Sequence, residues 1–468
     1  MRFIQTLQSV IYNDKDVHDK IRLIKELGSM LWANNIGIYS LNDVENKIIN
    51  EVSKKYCPSK IVRSKKNVFV ITIGYLSGGH TRLMENLASM LNNECDLIIT
   101  GNVELEVKNR LSNYFNEIFE IATYEKNDLN EIYKLSDLLS NYFNIILNIH
   151  PDDIQSVIAA GLAKKNANSC IHFINHADHV FSFGATVADI WYQISEFGAR
   201  LDELRELSGK TSFLGIPIAK INKKNAQLSH LKESEVQFII TSGSANKFKP
   251  QKTYSLVKKV PDLLIQFPNA KLIIVGTNII FGYWWWWVYL KFRSRMKFYQ
   301  TLAYADYLAL MDKADIFLDS YPIPGGTAFV EQYLSGKRCA GYISPQQGYT
   351  PLERIKCEIT CGKIIFNDVK GIDEKIEYIH SYEKVKNRFL TAINSKEITK
   401  INWRDYYNWS GDTTFFIDDN IREIPSVILR ECIKSRRLAI EMIKNNKLLL
   451  LKSLVLKIAR ISLGKRKK

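Results

Sequence analysis

The sequence predicts an α/β protein built from two doubly wound parallel-sheet units, with a helical extension before them and a basic amphipathic helix after them. Three observations predict it. Apolar runs of strand length alternate with amphipathic stretches of helix length, as in parallel sheets covered on both faces. The alternation stops at a polar stretch and starts again. Gly-rich turns follow strand candidates in both halves. At 468 residues the chain is too long for one ordinary domain, and 46% hydrophobic and 11% aromatic content can fill large cores.

Residues 1–64 place Ile21, Leu23, Ile24, Leu27 and Leu31 at helical spacing and hold no strand-like run, which predicts the helical extension. The apolar run Val68–Ile73 follows, then Gly74, Gly78 and Gly79, then a helix through Leu83, Leu87 and Leu91. Strand candidates Leu97–Ile99, Ile118–Ile121, Ile145–Ile149 and Ile171–Ile174 alternate with helices near 128–142 and 153–164, giving a first unit over 65–221. Residues 222–235 are polar and read as a linker. A second unit over 236–400 repeats the pattern: Val236–Thr241, a helix near 252–266, Lys271–Val275, Ile316–Leu318, a helix near 328–335 and Cys339–Ile343. Residues 401–432 are expected to return as helices to the first unit, and 433–468 to form the basic tail.

Charge is unevenly spread. There are 64 basic residues against 49 acidic, a net +15, yet residues 434–468 alone carry 12 basic and one acidic residue. The body is near neutral, so nucleic acid is not an expected partner. In the tail, Leu450, Leu451, Leu454, Val455, Ile458 and Ile461 share one helical face, while Lys452, Lys457 and Arg460 lie mostly opposite. That pattern suits an interfacial anchor on an anionic membrane. The run Tyr283-Trp-Trp-Trp-Trp-Val-Tyr-Leu290, followed by Lys291, Arg293, Arg295 and Lys297, suits the same boundary. Four adjacent tryptophans cannot share one helix face, so some are expected to pack inward or meet another subunit. No apolar run approaches the ~18–20 residues that span a bilayer. Asn13, Asp14 and Asp16 interrupt any signal-peptide core, and seven scattered cysteines fit a reducing, cytoplasmic setting.

The most informative stretch runs from Ala314 to Gly336. An apolar strand ends near Pro322, and Gly325-Gly326-Thr327 opens a helix. Free amides and the positive end of the helix suit a phosphate there, Thr327 adds a hydroxyl, and Glu331 lies one turn on, where a carboxylate can hold ribose hydroxyls. A plain helix cap with an exposed glutamate is the alternative. Thr241-Ser-Gly-Ser-Ala-Asn-Lys-Phe-Lys-Pro250 follows the first strand of the second unit and offers Ser242, Ser244 and Lys247. A lysine aimed at a diphosphate neutralises a leaving group.

In the first unit, Tyr75–Arg82 follows the first strand. His80 there is either a general base or the cap of the next helix. Asn175-His-Ala-Asp-His179 lies at another strand end. His176 would face the cleft, with Asp178 near enough to orient an imidazole or hold a sugar hydroxyl. His176, Asp178 and His179 lack a distant fourth ligand, so no metal is expected there. The only Asp-x-Asp, Asp14-Lys-Asp16, lies in the helical extension, the wrong place for a metal-holding carboxylate pair.

Glu331-Gln-Tyr-Leu-Ser-Gly336 resembles the Glu-Ala-x-x-x-Gly of family 4 glycosyltransferases of the GT-B fold, whose glutamate binds the donor ribose. The chain departs from that family at Ile323, where a second glutamate is usual. The Gly-Thr helix start and Lys247, three residues before Pro250, are similar to the diphosphate site of O-GlcNAc-transferase-like enzymes. The resemblance covers about residues 66–400. It implies a metal-independent glycosyltransferase without cofactor, using a nucleotide-diphosphate sugar as co-substrate and a glycan or lipid-linked acceptor of cell-surface polysaccharide. It implies that Gly78 and Gly79 line the site and, since some inverting transferases carry a base histidine after the first strand, that His80 is the base; His176 and Asp178 complete the expected catalytic set from their own place at a strand end. The expected setting is the inner face of a bacterial cytoplasmic membrane. A protein acceptor, a nucleotide-sugar 2-epimerase and a non-catalytic partner subunit are the alternatives.

Overall fold

A computed structural model describes residues 2–59, 61, 65–75, 79–126, 128–218, 231–280 and 282–445. Three helices, Arg2–Asp14, Val17–Ala33 and Asn42–Ser53, open the chain. A seven-stranded sheet follows: β1 Lys65–Ile71, β2 Asp96–Ile99, β3 Ile118–Glu120, β4 Tyr142–Asn148, β5 Cys170–Ile174, β6 Ile190–Gln193 and β7 Lys210–Phe213. Its order is β3-β2-β1-β4-β5-β6-β7, with every pairing parallel. A five-stranded parallel sheet comes next: β8 Phe238–Ser242, β9 Lys271–Val275, β10 Met296–Tyr299, β11 Ile316–Leu318 and β12 Arg338–Ala340, in the order β10-β9-β8-β11-β12.

Both sheets are buried on both faces, which is why their strands read as unbroken apolar runs. Val68 and Val70 pack into one core with the N-terminal helices and the helix Ile154–Ala167. Phe69 and Ile71, pointing the other way, pack against the helices Gly79–Met90 and Tyr382–Ser395. The second sheet repeats this, with Ile239, Leu272 and Leu318 on one face and Ile240, Ile273 and Phe317 on the other.

The chain returns to the first unit earlier than the sequence suggests. The helix Tyr382–Ser395 already buries Val385, Phe389 and Ile393 against it, within the span expected to belong wholly to the second unit. Arg388 fastens the crossing by donating to the carbonyls of Leu214, Tyr378 and Ile379 at 2.8–2.9 Å. The helices Ser426–Lys434 and Arg436–Asn445 then join the core of the N-terminal extension. Leu438 and Met442 are buried there, so the first third of the expected membrane tail packs on the body. The apolar stripe 450–461 and most of the linker 222–235 lie outside the described residues. Among the described residues no helix is long and apolar enough to cross a membrane.

Both sheets have the doubly wound order, reversing between β1 and β4 and between β8 and β11. Ligands of such sheets bind beyond the carboxyl ends of the strands at the reversal. With two such units facing across a cleft and a C-terminal helix crossing back, the architecture is that of the GT-B fold.

Candidate active site

A cavity of about 240 Å³ lies between the units, at the reversal points of both sheets. The first unit lines it with Gly79, His80, His176, Asp178 and His179, and the second with Lys247, Gly325, Gly326, Thr327, Gln346 and Tyr349. The structure thus brings together most of the residues singled out from sequence. Ser242, Ser244 and Glu331 stand outside this lining. Gly78 lies outside the described residues.

The second-unit wall is shaped by a buried ion pair that gives no local sequence signal. Asp319, at the end of β11, meets Lys356 at 2.7 Å, and both side chains are 2% exposed. The other carboxylate oxygen of Asp319 accepts from the amides of Ser320 at 2.9 Å and Gly325 at 2.8 Å. Asp319 therefore folds the 320–325 turn back on itself and presents the helix Thr327–Leu334 to the cavity. A Cβ at Gly325 would lie 2.5 Å from that oxygen, so the turn closes only on glycine. Gly326 stands before the helix at φ +56°, a backbone glycine adopts without strain. Gly79 differs, since a Cβ there would meet nothing within 4 Å.

Lys247 reaches the same turn. Its ammonium donates to the Pro324 carbonyl at 2.9 Å, and burial pulls its pKa down despite the nearby Asp319. An ammonium carries three N–H donors. Among the described residues one is taken, by the Pro324 carbonyl, which leaves two for an anion. Lys247 and Lys356 both interact with the Asp319 carboxylate, Glu353 also acts on Lys356, and the helix start adds its positive end. Ser244 is exposed and precedes the short helix carrying Lys247, while the Ser242 hydroxyl pairs with that of Tyr307 at 3.2 Å. Glu331 lies one turn beyond Thr327. Its pKa is raised by burial and drawn back by Arg82 of the first unit, a cross-cleft charge the sequence reading did not single out.

Opposite stand stacked imidazoles: His80 and His176 have ring centroids 5.1 Å apart, with planes inclined by 25°. His80 Nε2 lies 2.9 Å from the Ile73 carbonyl, an acceptor, so Nε2 carries the proton and Nδ1 is the basic nitrogen. Burial, aided by His150, lowers the His80 pKa, keeping the ring neutral near pH 7. His176 is pushed down to about 3 by burial and the neighbouring histidines, and among the described residues its buried Nδ1 has no hydrogen-bond partner.

Asp178 is 1% exposed, accepts from the hydroxyl of Tyr349 at 2.8 Å and from that of Ser195, and meets His179 Nδ1 at 3.5 Å. Its oxygens accept from groups of both units, so it ties Tyr349 of the second unit to the first while lining the cavity. Among the described residues no group of three or more His, Cys, Asp or Glu stands together as a metal cage.

The sequence matches no protein-family model and no curated protein sequence. Solved structures of similar shape include HepE from Anabaena in complex with UDP and glucose, at 14% identity over 71% of this chain and 90% of that one, TM-score 0.44. Another is a Thermobaculum terrenum O-GlcNAc transferase mutant, at 11% identity over 84% and 73%, TM-score 0.43. A glycosyltransferase from Rickettsia africae gives 13% identity over 71% and 94%, TM-score 0.45. The strand order and the crossing helix, not these distant likenesses, define the fold.

Proposed function

We propose that this chain is a glycosyltransferase that moves a sugar from a nucleotide-diphosphate donor to a glycan acceptor. The observation that carries the reading is the convergence of the Lys247 ammonium and the Gly325–Thr327 helix start, facing a neutral His80 across one cavity. In this reading the donor diphosphate lies on the helix amides and Lys247, with the nucleoside toward Glu331. The bond between the anomeric carbon and the diphosphate oxygen breaks, and its electron pair leaves on the diphosphate, where Lys247 and the amides neutralise it. The acceptor hydroxyl oxygen forms the new bond to that carbon and passes its proton to His80 Nδ1. The leaving-group charge is met by protein donors, so the step requires no metal.

The finer reading is a lipid-linked acceptor for cell-surface polysaccharide or lipopolysaccharide, met by a peripheral protein on the inner face of a bacterial cytoplasmic membrane. The basic amphipathic stretch 450–468 supports it. The test is a nucleotide screen by thermal shift, followed by turnover of the sugar conjugate of the stabilising nucleotide. A ligand at 100 times its Kd adds about 2.7 kcal/mol. Stabilisation by a nucleoside diphosphate in the wild type, lost in Lys247→Met, supports the reading. Conversion of the donor to its 2-epimer without transfer would assign an epimerase. No response to any diphosphate would leave a non-catalytic partner subunit.

A further inference from the structure

The tryptophan run forms an outward stripe. The short 3-10 turn Tyr283–Trp285 leads directly into the helix Trp286–Phe292. Tyr283, Trp286, Trp287 and Leu290 recur at intervals of three, one and three residues, which puts them on one helical face. They are 66%, 55%, 50% and 77% exposed, and Ile280 beside them is 74% exposed. Trp285 and Val288 point the other way and are fully buried in the second-unit core. The inward face packs into the core without the outward one, on which Trp286 donates its indole N–H to the Ile279 carbonyl while its ring stays half exposed. A contiguous patch of this kind marks an interaction surface.

Its charge surroundings select the partner. From residue 263 to residue 305 the chain has no acidic residue and five basic ones. Arg295 is engaged by the carbonyls of Leu264, Phe267 and Ala270. Lys291, Arg293 and Lys297 are exposed, and among the described residues none of the three forms an ion pair. Lys291 and Arg293 continue directly from the stripe. Indole and phenol rings favour the headgroup boundary of a bilayer, and cations beside them favour anionic lipid.

We propose that the Tyr283–Leu290 stripe is a membrane-docking surface of the second unit, inserting its aromatic side chains into an anionic leaflet with Lys291 and Arg293 at the headgroups. The stripe lies on the connection between the carboxyl end of β9 and the start of β10. This surface is separate in sequence from the C-terminal tail and from the residues lining the cavity.

The test uses the full-length protein without sugar donor. Co-sedimentation is compared on vesicles of phosphatidylcholine alone and of phosphatidylcholine mixed with phosphatidylglycerol, together with quenching of tryptophan emission by brominated acyl chains. Wild type is expected to bind the anionic vesicles and to be quenched. Trp286→Ser/Trp287→Ser and, separately, Lys291→Glu/Arg293→Glu are expected to bind at least about tenfold more weakly. Melting curves check the fold of both variants; if the serine pair melts early, the glutamate pair at exposed positions decides. Equal binding by wild type and folded variants, without quenching, would assign lipid binding to the tail alone and overturn the proposal. A lipid-free dimer that becomes monomeric in Trp286→Ser/Trp287→Ser would overturn it in favour of a second copy.

Discussion

Replacing Asp319 by Asn removes one charge while keeping an oxygen that can accept from the amides of Ser320 and Gly325. The cost is therefore electrostatic. Lys356, 2% exposed, would be left as a buried cation 2.7 Å from a neutral amide. Breaking a buried pair by removing one partner costs about 3–5 kcal/mol. In a unit of this size each kcal/mol moves Tm by about 2–4 °C, so the variant should melt roughly 6–20 °C below wild type. Removing the second charge with Lys356→Met should recover most of that loss, because an apolar replacement of a buried pair is often neutral. The assay is a double-mutant cycle by thermal or urea unfolding. If Asp319→Asn melts with wild type, or the double variant shows the sum of the two single losses, the pair does not hold the turn.

Other consequences are quicker to check. Lys247→Met should weaken nucleoside diphosphate binding by about 10- to 150-fold in calorimetry, the value of a charge-assisted hydrogen bond of about 1.5–3 kcal/mol, with a much smaller effect on the bare nucleoside. Gly79→Ala should leave donor binding intact, since its Cβ enters open space, whereas Gly325→Ala should weaken it by displacing Asp319. With its pKa lowered, His80 stays a neutral base into mildly acidic solution, so the acid limb of kcat/KM should lie below pH 6.5 and vanish in His80→Gln. Burial pushes the pKa of His172 down to about 3, so the unfolded chain binds the extra proton below pH 6.5 and stability falls as pH drops from there toward 3. The slope from one such group is at most about 1.4 kcal/mol per pH unit, and His172→Gln should show a shallower loss of Tm between pH 7 and pH 5 than wild type.

The sequence made the layered fold legible because buried parallel strands leave unbroken apolar runs such as Val68–Ile71, whichever helix covers them. It hid β6, β7 and β10, whose four-residue spans mix Gln193, Lys210 and Lys297 with apolar residues. The expected end of the second unit at residue 400 missed the earlier crossing because the Tyr382–Ser395 helix has the same amphipathic pattern whichever core it joins. The Gly325–Thr327 turn and Lys247 were visible as short local signals. Asp319–Lys356 was not, since 37 residues separate partners brought close by the pairing of β11 with β12 together with the bridge between Tyr342 and Cys357. Asp178 was legible as a site residue from its place at a strand end, whereas its hold on Tyr349 shows only in the folded contacts.

The most direct test is a crystal of the full chain grown with uridine diphosphate. The account predicts phosphate oxygens within hydrogen-bonding reach of Lys247 Nζ and the backbone amide of Thr327, with the ribose toward Glu331. Diphosphate density elsewhere, with the Lys247 ammonium still held only by the Pro324 carbonyl, would contradict it.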